Sequence, residues 1–116
     1  MPEETSLGRI DISPRAVASL VGQTVIECYG VVGMASKNLT SSLVGVLQRD
    51  SRRGVEVRLE DGEIIIDLYV VIEYGTKVST VAHNIMRSVK FNVEKALGVP
   101  VKQVNVHVQG LRVSEM

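Results

Sequence analysis

One stretch of this chain changes hydrophobic period twice, and that constrains the fold more than any other feature. Ile64-Ile65-Ile66-Asp67-Leu68-Tyr69-Val70-Val71-Ile72 is apolar at every position but one. Its β-branched content, between Asp61-Gly62 and Tyr74-Gly75, predicts a strand buried on much of both faces. Val78, Val81, Ala82, Ile85, Met86, Val89, Val93, Ala96 and Leu97 then recur at spacings of three and four, one face of a helix. Gly98 stands where a left-handed cap ends such a helix, and Pro100 keeps it from resuming. Gln103-Val104-Asn105-Val106-His107-Val108-Gln109 alternates strictly and reads as a half-buried strand. Strand, helix and strand in this order imply a right-handed crossover between two parallel strands.

The flanking sequence supplies the rest of a two-layer fold. Residues 1–7 read as a frayed, disordered end, and residues 8–112 as a single domain. Gly8-Arg9-Ile10-Asp11-Ile12 has the alternation of a short edge strand. Ser13-Pro14 starts a helix, with a hydroxyl N-cap followed by proline at a position needing no N–H. Val17, Leu20, Val21, Thr24, Val25 and Cys28 share one face of it. Residues 34–54 read as a connection with a short helix around Leu39, Leu43, Val44 and Leu47, closing in a turn at Asp50–Gly54. Val55, Val57 and Leu59 alternate with Glu56, Arg58 and Glu60, a strand with one wet face. Asp61-Gly62 is a two-residue hairpin signal, because a type I′ turn needs positive φ at both central positions. The expected architecture is α+β: a mixed sheet with helices over its core face, built from a β-hairpin followed by a βαβ crossover.

Composition narrows the function. A chain of 116 residues is one domain that buries roughly two thirds of its unfolded surface. Thirteen basic residues balance thirteen acidic ones, so no global field draws it to nucleic acid or anionic lipid. Cys28 is the single cysteine, which rules out an internal disulfide or a multi-cysteine zinc site. The N-terminus is acidic and polar, and no apolar run reaches the about 20 residues that span a bilayer. The expectation is a soluble cytoplasmic protein with no direct membrane insertion.

Active-site chemistry is sparse. His83 falls on the polar face of the second helix and His107 on the polar side of the last strand, both positions where a solvated or hydrogen-bonded ring is ordinary. Cys28 lies on an apolar helix face, the setting of an inert thiol. Glu60, Asp61, Glu63 and Asp67 enrich one hairpin in carboxylates, without a spacing that forces them to converge on a cation. Phosphate loops, dinucleotide fingerprints and nucleophile elbows are missing. The chain reads as a non-enzyme with no cofactor.

Two surfaces remain as binding candidates. On the second helix Phe91 lies opposite the apolar stripe, beside Asn84, Arg87 and Lys95, and an aromatic flanked by cations is a contact anchor. That basic face and the acidic hairpin of Glu60, Asp61 and Glu63 have complementary charge, which steers association. The alternative is nucleic acid: Gly30-Val31-Val32-Gly33 has the Gly-x-x-Gly form of the loop with which KH domains clamp a backbone, and Arg52 and Arg53 lie downstream. Valines fill its centre where a basic residue would hold phosphate.

Gly62 to Gly75, with Val81-Ala82 and Val89, and then Val104-Asn105-Val106-His107-Val108-Gln109-Gly110, closely resembles the bacterial alkaline shock protein family, also called envelope stress response proteins. Gly8-Arg9-Ile10 with Ile12, and Gly30-Val31 with Gly33-Met34, fit the same pattern. The resemblance spans about residues 8–112. It implies a small, non-enzymatic cytoplasmic protein of mostly Gram-positive bacteria, linked to alkaline or cell-wall stress. It also implies homo-oligomers and, for some members, recruitment to the inner membrane face by a small membrane-anchored partner. The family supplies no catalytic residues.

Overall fold

The computed structural model describes residues 2–36 and 54–113. Eight elements follow in chain order: β1 (Pro2–Thr5), β2 (Gly8–Asp11), α1 (Pro14–Ile26), β3 (Val31–Met34), β4 (Val55–Glu60), β5 (Glu63–Glu73), α2 (Val78–Leu97) and β6 (Val101–Arg112). β5 is the axis of the main sheet. One of its edges pairs in parallel with β6 from Ile64 to Glu73. The other pairs antiparallel with β4 over Glu63–Leu68 and then with β3 over Val70–Ile72. The result is the expected α+β architecture: a mixed sheet with α1 over β3 and β4, α2 over β6, and the two helices packed together.

The local signals act as their chemistry dictates. Ser13 Oγ accepts a hydrogen bond from the Ala16 N–H at 3.1 Å, with Pro14 opening α1. Asp61 (φ 52°) and Gly62 (φ 78°) make the left-handed turn between β4 and β5, as a type I′ connection requires. Gly98 caps α2 in the left-handed region and its N–H donates to the Glu94 carbonyl. Ile64, Ile66, Leu68, Val70 and Ile72 of β5 meet Val17, Val21 and Val25 of α1 and Val81, Ile85, Val89 and Val93 of α2 in one aliphatic core. Ile65, Tyr69 and Val71, which alternate with them, are also buried, so β5 is covered on both faces as its near-continuous apolar run implies.

Two details depart from the sequence reading. Residues 2–5, expected to fray, form β1, which pairs antiparallel with β2 in the register Pro2↔Asp11 to Thr5↔Gly8. β2 is accordingly not an edge of the main sheet; with β1 it makes a separate two-stranded sheet. No apolar period announces β1, whose pairing partner β2 is its neighbour in sequence. The expected short helix around Leu39–Leu47 lies outside the described residues.

Candidate interaction surfaces

The sheet face turned away from the helices carries a polar cluster built across three strands. Register places Arg58 of β4 and Asn105 and His107 of β6 around Asp67 of β5. Asp67 Oδ2 accepts from Arg58 Nη2 at 3.1 Å. Its Oδ1 accepts from Asn105 Nδ2 and from His107 Nε2, each at 3.2 Å. The Asp67 side chain is only 13% exposed, against 55% for Arg58 and 46% for His107. Burial pushes the Asp67 carboxyl up. Hydrogen bonds from His107, Arg58 and Asn105, together with the Arg58 charge, outweigh burial and hold it below the usual carboxylate range. The Tyr69 ring stacks on His107 with centroids 4.6 Å apart and planes 12° from parallel.

This arrangement satisfies the carboxylate with three donors from two neighbouring strands. Asp67 was grouped by sequence with the acidic hairpin, whereas the fold turns it into the centre of a cross-strand network. The legible signal was a lone acid within an apolar strand, followed by polar residues at alternate positions of the next parallel strand. Knowing that Asp67 faces Asn105 required the register.

The outer face of α2 stands as its period predicts. Asn84, Arg87 and Lys95 are exposed, and Phe91 is 62% exposed. The Lys95 ammonium sits 5.7 Å from the centroid of the Phe91 ring, within reach of a cation–π attraction. His83, on the same polar side, donates from Nδ1 to the Ser79 carbonyl one turn back at 2.7 Å. Near the end of α2, Glu94 Oε2 accepts from Lys90 at 3.2 Å and from the Val101 N–H at 2.9 Å. That backbone donor and the Lys90 ammonium hold the Glu94 carboxyl below its ordinary range. Lys90 also donates to the Val101 carbonyl at 3.0 Å, so two helix side chains clasp the start of β6.

The acidic hairpin and the glycine motif are placed differently from each other. Glu60 and Asp61 are exposed and Glu63 is half-buried; Glu60 lies 3.5 Å from Lys102 of β6. No group of three potential metal ligands converges among the described residues. Gly30 and Gly33 do not bracket an exposed loop. Val31, Val32 and Gly33 belong to β3, and Gly33 is buried opposite Val71. Gly30 (φ 88°) sits so close to α2 that a Cβ there would meet Val81 Cγ2 at 2.7 Å. Both glycines therefore answer to packing, the first against a helix and the second within a strand. Arg52 and Arg53 lie outside the described residues.

Cys28 is half-buried, and its thiol donates to the Thr24 carbonyl at 3.4 Å. Burial is the main cause that pushes its pKa up. Thr24 Oγ1 in turn donates to the Leu20 carbonyl at 2.9 Å and accepts from Asn92 Nδ2 at 3.2 Å, a polar tie between the helices.

Comparison with known proteins places this arrangement. The family model of the alkaline shock protein 23 family, described as having a cell envelope-related function, matches residues 2–113. The chain belongs to that family. It is 46% identical over 112 residues to the uncharacterized protein YloU of Bacillus subtilis, covering 95% of this chain and 93% of that protein. It is 26% identical over 111 residues to a stress response regulator gls24 homolog of Streptococcus pyogenes; the match covers 93% of this chain and 61% of that longer protein. Among solved structures, a copper form of the MamM CTD superposes with a TM-score of 0.50 at 15% identity, covering 87% of this chain and 89% of that one. A cadmium form of a MamM CTD variant gives 0.51 at 14% identity, covering 89% and 100%. At such identity the likeness is one of fold. No helix among the described residues is long and apolar enough to cross a membrane.

Proposed function

We propose that this protein serves the envelope stress response without catalysis, through self-association and protein–protein contacts. The observation that carries the reading is the outer face of α2, where Phe91 stands 62% exposed beside Arg87 under the Lys95 ammonium. An aromatic ring flanked by cations is the composition of a contact anchor. Family membership supports the envelope setting, and the stress response regulator homolog supports the stress setting. The titratable groups support a non-catalytic role: Asp67 is committed to three donors, and the Cys28 thiol is pushed up by burial. A small membrane-anchored protein is the partner that would bring such a chain to the inner membrane face, with the acidic hairpin at Glu60, Asp61 and Glu63 as a second surface of opposite charge.

Light scattering over a concentration series at two salt levels tests this. Self-association that weakens in salt is the expected result. Phe91→Ala and Arg87→Glu should reduce capture of an anchored partner while leaving the thermal transition unchanged. A strict monomer at every concentration would remove self-association from the reading.

A further inference from the structure

Where β5 ends, three neighbouring strands present a group of exposed apolar side chains. The Glu73 N–H donates to the Gly30 carbonyl at 2.8 Å, and the Tyr74 N–H donates to the Arg112 carbonyl at 2.8 Å. These two bonds bring Tyr29, Tyr74 and Val113 together at the ends of β3, β5 and β6. They are 79%, 67% and 69% exposed. Leu111, which pairs with Ile72 of β5, is 48% exposed and extends the group toward the core. A single exposed apolar side chain is ordinary, whereas a contiguous group with two tyrosines has the composition of an interface centre.

The two helices set a charge on either side of this group, and each charge opposes its own helix. α1 ends at its C-cap Glu27, a carboxylate at the negative end of a helix dipole. Gln23, which donates to Glu27 Oε1 at 2.9 Å, is a neutral amide and leaves that charge in place. α2 begins at its N-cap Lys77, an ammonium at the positive end of a dipole, whose side chain makes no capping hydrogen bond. Both side chains are exposed. Glu27 stands two residues before Tyr29 and Lys77 three residues after Tyr74, so the tyrosines lie between the acid and the base. Each charge costs its helix stability, and a partner charge of opposite sign would offset that cost.

We propose that this end of the molecule is the contact between two copies of the chain, related by a two-fold axis through the tyrosines. In a two-fold contact residue i meets residue j and j meets i, so Glu27 and Lys77 face each other across the axis twice. An apolar centre with an acid on one side and a base on the other is complementary to itself in that arrangement. Thirteen basic residues balance thirteen acidic ones, so two copies approach without net repulsion. A tyrosine can bury about 150–250 Å², and a stable interface takes about 800 Å² per partner, so Tyr29 and Tyr74 with Leu111 and Val113 supply a large share of it. The contact closes at a dimer and leaves the Phe91 face of α2 open to another protein. It assigns a surface to the self-association proposed above and rests on that reading.

Light scattering over a concentration series, on the full chain and on single variants, tests the contact. Tyr74→Ser, at an exposed side chain, should weaken self-association at least tenfold. Glu27→Lys and Lys77→Glu should each weaken it, because like charges then meet across the axis. Neither reversal should lower the thermal transition, since each suits its own helix end. The two reversed chains mixed in equal amounts should regain the association of the unaltered chain, because opposite charges then meet at both positions. If mixing restores nothing, or if Tyr74→Ser or the reversals associate as well as the unaltered chain, this contact falls although self-association stands. If the unaltered chain stays monomeric at every concentration, both readings fall.

Discussion

Replacing Asp67 by asparagine tests the central polar network with almost no change of shape. Asp67 Oδ1 serves Asn105 and His107, while Oδ2 faces Arg58 Nη2 at 3.1 Å. In Asp67→Asn one amide oxygen can still serve the first pair, but the NH2 then faces the Arg58 guanidinium, donor against donor. Shielded hydrogen bonds to a charged group contribute ~1.5–3 kcal/mol each, and exposed ion pairs only ~0–1 kcal/mol. Arg58 and His107 are each about half exposed, so their contributions belong near the lower range. The whole change then costs roughly 1–2 kcal/mol at pH 7, or roughly 4–10 °C in Tm for a domain of this size. The pH dependence is the sharper signature. The folded pKa of Asp67 lies below its ordinary value, so the carboxylate stabilises the fold above the unfolded pKa. That contribution is lost as pH falls through the folded one. Thermal melts of both proteins between pH 7 and pH 3 should show the gap narrowing below about pH 4. Equal stability at pH 7, or a gap that does not change with pH, would refute the account of the network.

Three further perturbations probe the core, a backbone contact and the thiol. Ile85, fully buried between α2 and β5, should cost about 2–5 kcal/mol when cut to alanine, read by urea unfolding with an unchanged m-value. Gly54 has φ 82°, and a Cβ there would meet the Ala35 carbonyl oxygen at 2.3 Å. Gly54→Ala should therefore lose roughly 2–4 kcal/mol from left-handed strain plus overpacking, visible as a lower Tm. Gly62, where a Cβ meets nothing, should lose less with the same change. The Cys28 thiol, raised by burial, should react with iodoacetamide at pH 8 several-fold more slowly in the folded chain than in urea; equal rates would contradict its burial.

What the sequence determined by itself was everything governed by neighbours within a turn or a pleat. The period of Val78 to Leu97 set α2, Gly98 ended it, Ser13-Pro14 began α1, and Asp61-Gly62 turned β4 into β5. The order of β5, α2 and β6 pointed to a parallel pair, because a long helix between two neighbouring strands returns the chain to the end where the first strand began. The exposed face around Phe91 was equally legible, since a helical period names its wet side as surely as its dry one. Tertiary structure decided what depends on register. It put β4 and β3 end to end along one edge of β5, and drew Gly33 into a strand opposite Val71 rather than into a loop. It gathered Arg58, Asn105 and His107 around Asp67 from positions 9, 38 and 40 residues away. It also tied Asn92 to Thr24 across 68 residues. A one-residue slip in either pairing would send those side chains to the other face. The chain's local periods permit each strand; only the assembled sheet says which polar groups meet.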